Sequence, residues 1–178
     1  MTSGVAFVRL TVDGQPATEH LAGACAGFAI PGCTFLLSGG LGAGKSTFAR
    51  AFVRALIGAD EEVPSPTFTL VQQYGPIDRG GADIEIWHAD LYRLGDPDEV
   101  LELGLDEAFG TAICLVEWPD RLGHFAPDDA IELIFDFAAD KGAAPDMRDI
   151  TARVPEKWRE AFASACEEAG VEVRDPDE

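Results

Sequence analysis

Residues 33–46 read CTFLLSGGLGAGKS. The opening CTFLLS is a short apolar run of the kind found in strands buried on both faces of a sheet. The segment Gly39-Gly40-Leu41-Gly42-Ala43-Gly44-Lys45-Ser46 that follows matches G-x-x-x-x-G-K-[ST] at every fixed position. A helical stretch then runs from about Lys45 to Ile57 and is closed by Gly58. Strand, glycine-rich turn and helix, in that order, are the setting in which this motif binds phosphate. Glycines let the backbone curl so that successive N–H groups point inward at phosphate oxygens. The helix adds about half a positive charge at its N-terminus. In such a cradle, formed by Gly42, Ala43 and Gly44, Lys45 meets the β- and γ-phosphates. The Ser46 hydroxyl ligates Mg²⁺, and Thr47 reaches the α-phosphate.

Upstream, residues 5–12 (VAFVRLTV) predict a strand ended by Asp13-Gly14. Thr18 is placed to N-cap a helix bearing Leu21, Ala22, Cys25, Ala26 and Ala29, stopped by Pro31-Gly32. Downstream, Pro64-Ser65-Pro66 imposes an extended loop before the alternating run Thr67–Tyr74, and 75–82 reads as a hairpin-type connection. Further strands are expected at 84–89 and 113–118, with a short helix at 97–103 started by Asp96 or Asp98. Residues 130–137 alternate as an outer strand with one wet face, partnered by 149–154. A closing helix covers 156–169. The expected fold is α/β, of the P-loop NTPase type, with a sheet flanked by helices. It forms a single domain over 1–170, with 171–178 as a frayed acidic tail.

A nucleoside triphosphatase also needs a carboxylate at the metal, usually at the end of a buried strand. Ile113-Cys114-Leu115-Val116-Glu117 supplies four apolar residues and then an acid. Glu117 can bind Mg²⁺ directly or through water, or orient an attacking water. Trp118-Pro119 stiffens the turn out of that strand. Asp90, in His88-Ala89-Asp90-Leu91-Tyr92-Arg93, follows a second apolar strand and falls near the same edge of an α/β sheet. His88 reads as a structural hydrogen-bonder. Thr67, in Ser65-Pro66-Thr67-Phe68, stands where such proteins often keep a mobile threonine that senses the γ-phosphate and Mg²⁺.

The 178 residues carry a formal net charge of −19. Residues 1–60 hold Arg9, Lys45, Arg50 and Arg54 against Asp13, Glu19 and Asp60, a balance of +1, so the remainder carries −20. That distribution leaves the first third able to receive a polyphosphate and argues against strong direct binding of tRNA or other nucleic acid. Cys25, Cys33, Cys114 and Cys166 form no C-x-x-C pair and read as small buried apolar residues. The N-terminal MTSGVAFVRL lacks signal-peptide features, and no apolar run approaches the ~20 residues of a membrane span. A cytoplasmic protein without membrane contact is expected.

The ordered segments LSGGLGAGKSTFAR, VPSPTFTLVQQY, HADLYRL and LVEWPDRLG, from about residue 36 to 124, together resemble the TsaE (YjeE) family of bacterial ATPases. That family serves the biosynthesis of threonylcarbamoyladenosine (t⁶A) in tRNA. The resemblance implies a mixed, mostly parallel sheet, ATP and Mg²⁺ as cofactors, and weak hydrolysis by the isolated protein. It implies action on a TsaD–TsaB assembly during t⁶A formation at adenosine 37, with the transfer itself belonging to TsaD. By the same resemblance Thr18 lies near the adenine and Lys45, Ser46 and Thr47 hold phosphates and metal. Thr67 is the switch threonine, Glu117 the acid at the metal, Asp90 a catalytic-site carboxylate, and Trp118 flanks the nucleotide pocket. Gly40 stands where the family generally has an acid, Ser46 where threonine is commoner, and Ala89 where Phe is usual. Arg148 is a candidate counterpart of a family arginine. Two other readings fit the phosphate loop: a small-molecule kinase, which needs an arginine cluster the sequence does not display, and a non-hydrolysing nucleotide-binding module. A GTPase is excluded because a chain without asparagine cannot carry the N-K-x-D guanine motif.

Overall fold

The computed structural model describes residues 4–138, 142 and 144–175. In chain order the elements are β1 (Val5–Asp13), α1 (Gly14–Phe28), β2 (Thr34–Gly39), α2 (Lys45–Ile57), β3 (Val71–Asp78), β4 (Asp83–Asp90) and α3 (Glu99–Leu103). Then come α4 (Leu105–Thr111), β5 (Ile113–Glu117), β6 (Ile131–Phe137), β7 (Met147–Pro155), α5 (Arg159–Glu168) and β8 (Val173–Arg174). The strands form one eight-stranded sheet in the order β3-β4-β5-β2-β6-β7-β1-β8.

Its parallel part is narrower than the sequence suggests. Only β4–β5, β5–β2 and β2–β6 run parallel, while the other four of the seven neighbouring pairs are antiparallel. The reason is connection length. β3 and β4 are joined across residues 79–82, where the Arg79 N–H donates to the Ala82 carbonyl at 3.0 Å, and so short a link joins only antiparallel neighbours. Strand β3 therefore continues through the stretch expected to be a connection, with a register shift between Tyr74 and Ile77. The expected strand start at Thr67 is instead a turn, in which the Leu70 N–H donates to the Pro66 carbonyl at 2.8 Å.

β6 is an inner strand between β2 and β7, not an outer one. Ile131, Leu133 and Phe135 enter the core, while Glu132 and Ile134 on its other face are only half-buried. That partial exposure makes an internal strand alternate as if it lay at an edge. Thr18 is likewise not an N-cap. Helix α1 begins at Gly14, and Thr18 sits one turn inside it, its hydroxyl donating to the Gly14 carbonyl at 3.2 Å. Helix α4 has no counterpart in the sequence reading; Leu105 and Ala108 bury its inner face. Val173–Arg174 pairs with Leu10 and Arg9 at the sheet edge, within the segment expected to fray, and residues 176–178 of that segment lie outside the described residues.

Helices α1, α2 and α5 cover one face of the sheet over the larger core. Phe35, Phe48, Phe52 and Phe135 meet there, with neighbouring ring centroids 5.2–6.2 Å apart. Burying each of these side chains stabilises the fold by roughly 1.5–3 kcal/mol. A smaller core on the opposite face joins Leu36, Ala89 and Val116 to Val100 and Leu105 of α3 and α4. Strand parity then positions the polar groups. Ile84 and Ile86 lie in the larger core, so His88 and Asp90, two and four residues beyond Ile86, emerge on the same face; Ile113 and Leu115 do the same for Glu117. The four cysteines are free and buried, and burial pushes the Cys33 and Cys114 thiols up to about 12, as expected of inert core residues.

Candidate functional site

The glycine loop joins β2 to α2 beneath the ends of the parallel strands. Gly39 adopts φ +136°, and a Cβ there would fall 2.4 Å from the Phe135 carbonyl oxygen, so only glycine fits. Gly44, at φ 116°, occupies the N-cap of α2. The Ala43 N–H donates to the Gly40 carbonyl at 3.3 Å, and the Ala43 side chain packs into the core.

Lys45 is 5% exposed. Its ammonium donates to the carbonyls of Gly39 and Gly40, both at 2.7 Å, and lies 4.4 Å over the Trp118 ring. Burial pulls its pKa below the ordinary lysine value, against the opposing pull of Glu117 and Asp90.

Glu117 pairs in register with Leu37 of β2 and Asp90 of β4, so the two carboxylates end adjacent parallel strands side by side. Glu117 is 1% exposed, and both of its oxygens are engaged. Oε1 accepts the Ser46 hydroxyl at 2.6 Å, and Oε2 lies 2.9 Å from Nε2 of His88. Burial alone would push this carboxyl up. The His88 hydrogen bond and charge, the Ser46 hydroxyl and the Lys45 charge outweigh it and hold the carboxyl below its ordinary value.

Trp118 follows at φ 58°, a left-handed conformation that is uncommon for a bulky residue. Its N–H donates to the Leu37 carbonyl at 3.2 Å, and Pro119 begins the 3₁₀ turn that leads the chain away. The Trp118 ring tilts against Tyr92 at 4.9 Å. Asp90 accepts the Tyr92 N–H at Oδ1 (3.1 Å) and the Thr67 hydroxyl at Oδ2 (3.4 Å). The Asp90 N–H donates to Leu70 at 2.8 Å, tying the Thr67 turn to the end of β4. Thr67 Oγ1 is also 2.8 Å from the Ser65 hydroxyl.

Lys45, Ser46, Thr67, Asp90, Glu117 and Trp118 thus face one cavity of about 430 Å³. A second cavity of about 360 Å³ shares Gly42, Gly44 and Thr47 with it and brings in Thr18 and Arg148. The loop is therefore flanked by one hollow rich in carboxylates and another reaching toward α1. The Arg148 guanidinium stacks on Phe137 at 4.5 Å and donates through Nη1 to the carbonyls of Pro145 and Met147.

The donor set of Ser46, Glu117 and Asp90 is all oxygen, which suits a hard cation such as Mg²⁺. Among the described residues no group of three or more His, Cys, Asp or Glu side chains could hold a metal. Any such cation would take its remaining ligands from phosphate oxygens and water. The sequence reading left unassigned Arg50, Tyr92 and Arg93, which also line the larger cavity, and it missed the contact of His88 with Glu117. The signal for His88 was its two-residue offset from Asp90, which puts both on one sheet face. Among the described residues no helix is long and apolar enough to cross a membrane.

Residues 12–144 match the family model described as threonylcarbamoyl adenosine biosynthesis protein TsaE. The tRNA threonylcarbamoyladenosine biosynthesis protein TsaE of Bacillus subtilis (strain 168) is 38% identical over 135 residues, covering 75% of this chain and 77% of that protein. The protein of the same name from Rickettsia bellii is 36% identical over 122 residues, covering 68% and 81%. The crystal structure of Bacillus subtilis YdiB superposes with a TM-score of 0.65 at 27% identity, covering 94% of this chain and 96% of that one.

Proposed function

This chain belongs to the TsaE family, and on that premise we propose that it is a Mg²⁺-dependent P-loop ATPase of low intrinsic turnover serving t⁶A modification of tRNA. It acts on a TsaD–TsaB assembly and does not itself transfer the threonylcarbamoyl group. The observation that carries this reading is the 2.6 Å hydrogen bond from Ser46, in the first turn of α2, to Glu117 at the end of β5. It joins the hydroxyl of the G-K-S motif to a strand-end carboxylate beside a cavity large enough for a polyphosphate.

The roles follow from the groups present. Loop N–H groups and the N-terminus of α2 attract the phosphate oxygens. Lys45 exchanges the carbonyls of Gly39 and Gly40 for those oxygens, since three N–H donors on a flexible stem can turn without moving the backbone. Ser46 and Glu117 would hold Mg²⁺, which supplies charge neutralisation across the phosphates. Asp90 orients water at the phosphate end, and Thr67 reports occupancy to the 64–70 loop through its hydrogen bond with Asp90. Trp118 walls the pocket, and Thr18, on the second cavity, lies toward the base. The nucleotide-dependent position of the 64–70 loop gives the states different affinities for the partner assembly.

The test is t⁶A formation and ATP hydrolysis in a reconstituted system with the partner pair. Asp90→Ala and Glu117→Ala are expected to retain nucleotide while losing stimulated turnover. Unchanged t⁶A formation by both variants would refute the roles given to the two carboxylates.

A further inference from the structure

His88 is fully buried, yet the residues before it on the same face of β4, Ile84 and Ile86, are core aliphatics, as is Leu115, its register partner on β5. An imidazole in such a layer loses its hydration and is tolerated where a hydrogen bond compensates. That bond goes to Glu117, with Nε2 2.9 Å from Oε2. The other ring nitrogen, Nδ1, is buried and has no hydrogen-bond partner among the described residues. An ionised carboxylate oxygen only accepts, so the proton of the contact with Glu117 sits on Nε2 of His88.

We propose that His88 is a positioning residue for Glu117: its Nε2–H pins Oε2 and thereby presents Oε1, together with the Ser46 hydroxyl, to the cation of a bound nucleotide. The proposal rests on the reading of Glu117 as the carboxylate at the metal. A glutamate has three side-chain torsions, and one hydrogen bond to Ser46 leaves the carboxylate free to pivot about Oε1. The second bond, from a ring locked in the core on the neighbouring strand, removes that freedom. Groups that orient a metal's ligand typically contribute about 10- to 100-fold in metal affinity or activity.

The test compares His88→Phe, which keeps a ring and removes the donor, with His88→Gln, which restores an N–H at similar reach. His88→Leu replaces the Phe variant if the larger ring does not fold. ATP affinity is measured by calorimetry with Mg²⁺ and with EDTA, kcat and KM by steady-state hydrolysis, and the orientation of Glu117 by crystallography of each variant without nucleotide. Removing the donor is expected to lower the Mg²⁺-dependent gain in ATP affinity, and kcat, by about 10- to 100-fold, while affinity in EDTA and KM stay near wild type. In the nucleotide-free crystals Glu117 should swing away from Ser46 in the donor-less variant and stay on it in His88→Gln. His88→Gln should also recover most of the lost activity. A folded donor-less variant with wild-type Mg²⁺ dependence, or with Glu117 unmoved on Ser46, would overturn the proposal. So would equal losses with Mg²⁺ and EDTA in both variants, the mark of a packing role. Wild-type protein that binds no ATP would refute the functional reading instead, and the nucleotide-free crystals would still decide the orienting role of His88.

Discussion

Two neighbouring glycines and one glutamate carry the sharpest expectations at the scale of single residues. Gly39 fills a fixed position of the motif and Gly40 a variable one, and a Cβ on Gly39 meets the Phe135 carbonyl at 2.4 Å while one on Gly40 meets nothing within 4 Å. Gly39→Ala should therefore destabilise the fold by more than about 2 kcal/mol, from backbone strain together with the clash. Gly40→Ala should change stability by no more than about 1 kcal/mol. Urea unfolding of the two variants checks the contrast. Glu117 makes its own signature in acid. Its carboxyl is held below the ordinary value of 4.5, so it stabilises the fold fully above that pH and loses this contribution as the pH falls through its lower folded value. The melting temperature of wild type should exceed that of Glu117→Gln at neutral pH, and the gap should narrow as the pH drops below about 4.5. A gap that widens in acid would contradict the hydrogen-bonded, ionised state of this side chain.

Elements sort by how much of their information is local. The strand, loop and helix from Thr34 to Ile57 were legible because each is encoded within itself: an apolar run, glycines where the backbone needs them, and a terminating Gly58. Glu117 and Asp90 were legible as strand ends because strand parity and the apolar run before each fix the face. What escaped the sequence depends on neighbours. β6 alternates like an edge strand yet lies inside the sheet; its pairing with the 149–154 strand was legible, and its place beside β2 was not. The bond from His88 to Glu117 joins residues on different strands, so the parity that puts His88 on the face of Asp90 does not by itself announce it. Arg79 is another such case. On the β3–β4 turn, its Nη2 donates to the carbonyls of Ala26, Gly27 and Ala29 at 2.7–3.0 Å, closing the C-terminus of α1 from outside the helix. A cation at that end also meets the negative pole of the helix. Arg79→Ala should cost about 1–2 kcal/mol in chemical denaturation, and Arg79→Lys should recover only part of it, since a lysine lacks the guanidinium's fork of donors.

Over the whole molecule, the acidity and the glycine loop divide the chain between them. The near-neutral first 60 residues contain the glycine loop, Lys45 and Arg50. The acidic remainder supplies Asp90 and Glu117 to the same cavity, and its excess negative charge predicts weak direct binding of tRNA. The antiparallel strands β7, β1 and β8 widen the sheet away from the ends of β4 and β5, and Arg148 of β7 lines the second cavity. Everything proposed for the protein's activity depends on one event, the seating of a nucleotide triphosphate on the glycine loop with Lys45 as its cation. Calorimetric titration of ATP·Mg²⁺ into wild type and Lys45→Ala at physiological salt measures that event alone. One-to-one binding by wild type that is lost in a folded Lys45→Ala variant is the expected result; equal affinity in both proteins, or no binding by wild type, would contradict the account.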